Sequence, residues 1–144
     1  MERDQLARLT MDALSFAVLQ DAERAADALD EIGTSGEPFD MYSAFCGLAE
    51  VAKRAMVKVL GDKPNLAAGD MWMIEELKPG GLDADPAKTF AVRFLIAYAN
   101  DDKDMAPALF RTALEAGPDQ FSESVCALLG DAADLHRLSQ RSAG

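Results

Sequence analysis

Apolar residues recur at intervals of three and four along almost the whole chain, while the alternation of a half-buried strand is essentially absent. That spacing restricts the fold to packed helices. A first helix is expected over residues 4–19, with Leu6, Leu9, Ala13 and Ala17 along one face. Asp21 is a suitable N-cap for a second over 22–32, whose stripe is Ala25, Ala26, Leu29 and Ile32, and Gly33-Thr34-Ser35-Gly36 should end it. A third follows Pro38 and is closed by Gly61, with Met41, Phe45, Leu48, Ala52, Ala55 and Val59 inward. Asp85-Pro86 combines a cap with proline at the first helical position. The helix it starts, through Tyr98, is apolar almost all round and therefore belongs in the centre. A fifth over 104–116 tolerates Pro107 in its first turn and stops at Gly117. The last, over 119–139, turns Phe121, Val125, Leu128, Leu129, Ala132 and Leu135 inward, and Ser142-Ala143-Gly144 should fray. His136, Arg137 and Arg141 suit the dipole at its end.

The order of these elements occurs twice. Displaced by 80 positions, Ala17, Asp21, Ala26, Ala28, Leu29, Pro38, Cys46, Leu48 and Ala52 fall on Ala97, Asp101, Ala106, Ala108, Leu109, Pro118, Cys126, Leu128 and Ala132. The expected architecture is all-α: one domain over 1–144, a compact bundle of about six to seven helices. Two three-helix halves, 1–60 and 84–141, are joined by a connector over 61–83 that contains a short helix at about 66–78. At 144 residues such a chain buries an ordinary core without metal or disulfide staples.

Charge narrows the partners. Twenty-five Asp and Glu against 14 Lys and Arg leave a net charge of −11, the opposite of the basic footprint that direct nucleic-acid binding requires. No apolar run reaches the length of a membrane span, and the charged start Met1-Glu2-Arg3-Asp4 lacks the core of a signal peptide, so a cytoplasmic location is expected. The two cysteines, far apart and without a Cys-x-x-Cys spacing, read as free, buried, inert thiols at helix-interior positions.

Asp101-Asp102 followed by Ala106, Phe110, Ala113, Leu114 and Pro118 resembles the second helix and exit turn of a tetratricopeptide repeat. The likeness covers 101–118. Phe94 stands where that motif has a small residue and Arg93 where it has a large apolar one, and the first half keeps only Ala25, Leu29 and Pro38. What the resemblance implies is a peptide- or protein-binding groove and no catalysis. In its Ala- and Asp-rich composition the chain is also similar to small acidic uncharacterised proteins of high-GC bacteria, a likeness without functional content.

The residues themselves offer little catalytic chemistry. Carboxylate metal sites in bundles use Glu-x-x-His, but Ala133 stands three positions before His136, the single histidine. Asp83, Asp85, Asp101, Asp102 and Asp104 lack the glycine and terminal glutamate of a calcium loop. Neither cysteine has a second histidine to activate it, and Gly61-Asp62-Lys63-Pro64 is no phosphate loop. No cofactor and no enzymatic activity are expected, although paired acids such as Glu75 and Glu76 leave a small ligand-binding or enzymatic bundle as one reading.

The preferred site is the connector. Met71-Trp72-Met73 places tryptophan between two adaptable thioethers on successive residues that cannot all enter one core face, with Glu75 and Glu76 beside them. The leading expectation is a protein-interaction module, with homodimer formation among its expected contacts, that binds a partner through an apolar patch rimmed by acids. A second reading is an acidic inhibitor that mimics nucleic acid against a basic partner, through a stripe of Glu23, Asp27, Asp30 and Glu31 together with Asp101, Asp102 and Asp104.

Overall fold

A computed structural model describes residues 1–60 and 85–143. The described residues form six α-helices: α1 (Arg3–Val18), α2 (Ala22–Ser35), α3 (Pro38–Leu60), α4 (Pro86–Ala99), α5 (Met105–Glu115) and α6 (Pro118–Ala143). The helix expected at 66–78 lies outside them.

Local chemistry sets most of the boundaries. The Asp21 carboxylate accepts the Arg24 N–H at 3.2 Å, and that of Asp85 accepts the Ala87 and Lys88 N–H groups at 2.9 and 3.4 Å. Both are the expected N-caps. Two ends run past their expected positions. α2 continues through Gly33, Thr34 and Ser35, with the Thr34 hydroxyl donating to the Asp30 carbonyl at 2.9 Å. It stops at Gly36, where a Cβ would come within 2.8 Å of both the Ile32 carbonyl and the Asp40 carboxylate that caps α3 through the Glu37 N–H. α6 stays helical through Ala143, beyond the point where fraying is expected. α5 ends before Gly117, whose φ of +104° suits glycine alone.

α1 and α4 terminate in the same hydrogen-bonded turn. The Asp21 N–H reaches back to the Phe16 carbonyl and that of Gln20 to Ala17, at 2.8 and 3.0 Å; Asp102 reaches Ala97 and Asp101 reaches Tyr98, at 2.9 and 3.0 Å. The left-handed position is held by Gln20 (φ 63°) in one and Asp101 (φ 56°) in the other.

The packing also repeats. α1 lies on α2 and α3, α4 lies on α5 and α6, and the long helices α3 and α6 pack along each other. Each half's first helix also touches the long helix of the other half, which fuses the two into one core. The register of this repetition is not the one in which the residues coincide. Buried Leu9, Thr10, Ala13 and Leu14 of α1 correspond to buried Phe90, Ala91, Phe94 and Leu95 of α4, 81 positions on. Ala25, Leu29 and Ile32 of α2 correspond likewise to Ala106, Phe110 and Ala113 of α5. Only α3 and α6 keep the displacement of 80, with Leu48 and Ala52 matching Leu128 and Ala132, all fully buried. The extra residue is Glu37, between Gly36 and Pro38, where the second half runs directly from Gly117 to Pro118. Ala26 is exposed while Ala106 is buried, and Ala28 is buried while Ala108 is exposed. Those identities therefore link faces that point in different directions. The letter matches in the first two helices thus do not mark equivalent buried positions.

The core is asymmetric in content. Phe45, fully buried on α3, has Phe90, Phe94, Phe110 and Phe121 around it at ring-centroid distances of 5.8, 5.6, 5.0 and 5.7 Å. The first three of these rings meet Phe45 edge to face and the Phe121 ring stacks on it, the arrangements that aromatic quadrupoles favour. The buried residues of α1 and α2 are Leu9, Thr10, Ala13, Leu14, Ala25, Ala28, Leu29 and Ile32, with no aromatic ring among them.

Candidate functional site

Met71, Trp72, Met73, Glu75 and Glu76 lie outside the described residues. The acids of the proposed stripe are all exposed, but they occupy two separate places. Glu23, Asp27, Asp30 and Glu31 stand on the outer face of α2, which packs on α1 and α3. Asp101, Asp102 and Asp104 belong to the turn between α4 and α5. There the Asp102 carboxylate accepts the Asp104 and Met105 N–H groups at 3.3 and 3.0 Å, and Asp101 supplies the left-handed residue. Two of those three acids thus have a local structural task.

The thiols differ from expectation. Cys46 is half-buried, whereas Cys126 is exposed. Cys46 stands beside Tyr42 and Tyr98; one turn before Cys126 the corresponding residue is Ser122, too small to cover it. Exposure does not activate Cys126. Partial burial of the sulfur pushes its pKa up, and Asp30 and Glu123 push it further. It lies at the margin of a cleft of about 620 Å³ whose walls include Asp85, Glu123, Asp131 and Asp134, an environment hostile to thiolate. Among the described residues no three His, Cys, Asp or Glu side chains are grouped so as to hold a metal ion.

The surface that sequence reasoning missed is a groove of about 580 Å³ between the C-terminal halves of α1, α3 and α6. Leu14, Val51 and Ala55 form its floor; Met11 and Leu19, 46% and 75% exposed, flank it. Met11 and Leu19 fall off the core stripe of α1, and this surplus of apolar residues was the one available signal. The charges along the groove are Arg54 and Lys58, one turn apart on α3, with the His136 imidazole on α6; among the described residues no carboxylate lines it. In a chain with nearly twice as many acids as bases, that is a local inversion of sign.

The groove's walls are held by specific contacts. The Tyr98 hydroxyl donates to Glu50 Oε1 at 2.8 Å, and Glu50 Oε2 lies 3.4 Å from Arg54 Nε, so α4 steadies the cationic rim through one carboxylate. Burial, and then this contact with Glu50, raises the Tyr98 pKa above the ordinary tyrosine range. Arg137, expected to serve the end of its own helix, instead caps α1: its Nη1 donates to the Ala17 and Val18 carbonyls at 3.1 and 3.0 Å, while Nη2 pairs with Asp134. Ser139 is buried and its hydroxyl donates to the His136 carbonyl at 2.7 Å, so it is not presented as a nucleophile.

No protein-family model, curated protein or solved structure matches this chain. Among the described residues no helix is long and apolar enough to cross a membrane.

Proposed function

We propose that this protein is a cytoplasmic protein-interaction module whose α1/α3/α6 groove receives a segment of a partner protein. One observation carries the reading: Met11 and Leu19 remain largely exposed at the edge of a concave apolar floor. Single exposed apolar residues are ordinary, but two of them flanking one concavity form the kind of surface that partners cover. This groove is a different surface from the acid-rimmed connector patch, and Arg54, Lys58 and His136 stand along it. The nucleic-acid-mimic reading draws on two separate groups of exposed acids, the outer face of α2 and the turn between α4 and α5, where the Asp102 carboxylate also accepts backbone N–H groups.

Site-specific photo-crosslinking in cells of the source organism tests the proposal. A benzophenone side chain at Leu19 or Met11 should trap one discrete protein, whereas the same group at exposed Arg8 or Arg111 should not. Equal labelling from all four positions, or none from the groove, would refute it.

A further inference from the structure

The geometry points to an amphipathic α-helix as the groove's occupant, apolar along one edge and carrying Asp or Glu about one turn apart on the adjoining edge. This inference rests on the interaction reading and specifies what the groove recognises.

Three modes of segment recognition can be compared with the walls. Adding a strand requires an exposed sheet edge with unpaired backbone groups, and every wall here is a helix. A polyproline segment docks between aromatic rings, yet among the described residues no Phe, Tyr or Trp lines this groove. Its lining is aliphatic and thioether, the surface into which a helix lays leucine-like side chains at i, i+3/i+4 and i+7. Length agrees. At a rise of about 1.5 Å per residue, the stretch from Met11 to Leu19 spans ~12 Å, a little over two helical turns.

Charge supplies the second half of the specification. Arg54 and Lys58 are spaced i,i+4, so their heads rise along the groove with the pitch of one helical turn. Among the described residues no carboxylate pairs with Lys58, and that of Glu50 holds Arg54 in place from one side only. His136 adds a third site of positive or hydrogen-bonding character on the facing wall. Carboxylates of a docked helix at i and i+4 would meet Arg54 and Lys58 together. A basic or neutral occupant would leave both unused.

The test is selection from a phage library of helix-stabilised 16-residue peptides against the full chain, followed by fluorescence anisotropy with the selected peptides. Enrichment of an apolar i, i+3/i+4, i+7 stripe flanked by Asp or Glu is expected. These peptides should bind at least ~10-fold more weakly to an Arg54→Glu/Lys58→Glu variant. Binding should recover when the peptide's acids are replaced by Lys. Leu19→Asp should abolish binding. Lys58→Glu alone, which leaves the Glu50–Arg54 contact intact, should give an intermediate loss. Circular dichroism of each variant establishes that the fold is retained. Selection of basic, proline-rich or non-amphipathic peptides, or binding indifferent to the charge reversal, would overturn the assignment. So would a dimer, detected by light scattering, that Leu19→Asp dissolves, because the occupant would then be a second copy. If crosslinks form at Leu19 while acidic helices are not selected, the occupant is wrong and the interaction reading survives. If no crosslinks form, that reading fails first.

Discussion

Arg137 ties the two halves together at one end of the bundle, and its removal tests whether the tie is a helix cap or a surface ion pair. Its side chain is 26% exposed and its guanidinium donates to two carbonyls in the last turn of α1, while the Asp134 side chain is 70% exposed. Exposed ion pairs contribute roughly 0–1 kcal/mol, whereas hydrogen bonds from charged donors contribute roughly 1.5–3 kcal/mol. The Ala17 carbonyl keeps the Gln20 N–H after Arg137 is lost, so the Val18 carbonyl carries most of the effect. Arg137→Met, which retains the apolar stem, should therefore destabilise by about 2 kcal/mol, and Asp134→Ala by under ~0.5 kcal/mol. With an unfolding entropy of about 2.1 cal/mol/K per residue, 144 residues convert that loss into a fall in Tm of ~6–7 °C. Urea unfolding of both single variants and the double variant gives the comparison. The cap assignment fails if Arg137→Met lies within ~0.5 kcal/mol of the parent protein, or if Asp134→Ala costs as much as Arg137→Met.

Other outcomes follow from the turns, the core and the titrating groups. Gln20→Gly should stabilise by ~0.5–1 kcal/mol by relieving a left-handed glutamine, whereas Gly117→Ala should cost ~1 kcal/mol although the space around it is open; urea midpoints read both. Phe45→Ala should cost about 3–5 kcal/mol, because the four rings around it cannot close the cavity. A loss below ~1.5 kcal/mol would mean that the cluster repacks. Tyr42, pushed up to about 12 chiefly by burial, and Tyr98, pushed higher by burial and Glu50, hold their protons more tightly folded than unfolded. Their contribution is complete below about pH 10 and is lost as pH rises through the folded-state values, so Tyr98→Phe should flatten the alkaline fall of stability. An unchanged slope counts against the buried Tyr98–Glu50 contact. Cys126, although exposed, should react with a disulfide reagent at pH 7.4 more slowly than an unstructured peptide thiol, and Asp30→Asn should accelerate it.

Much of the fold could be read locally. Asp21, Asp85, Pro38, Pro118 and Gly117 announce helix ends through their own side chains, and each acts within a few residues of where it stands. The number and order of the described helices follow from the same cues. The ends of α2 and α6 were less legible, because Gly33 and Ser142 weaken a helix without stopping it when a neighbouring turn or a long helix supports them.

The echo misled in a specific way. Identity of letters favoured one displacement for the whole chain, whereas burial follows another over α1 and α2, because the single residue Glu37 shifts every preceding position by about 100° around its helix axis. Cys126 was read as buried from its helix-interior position, but cover comes from neighbours, and Ser122 one turn before it provides little. The candidate groove had only a faint trace in the sequence. Met11 and Leu19 stand out from the stripe of α1, but Arg54, Lys58 and His136 come from helices far apart along the chain.

Periodicity, caps and breakers act over one or two turns, so the amino-acid order was enough to make this chain helical and to cut it into its elements. Which helix Arg137 caps, which cysteine is covered, and where two cations and a histidine meet an apolar floor depend on residues brought together from α1, α3, α4 and α6. Those relations are set by how the long helices pack, because burial and charge are properties of a place in space and no single stretch of the chain contains it.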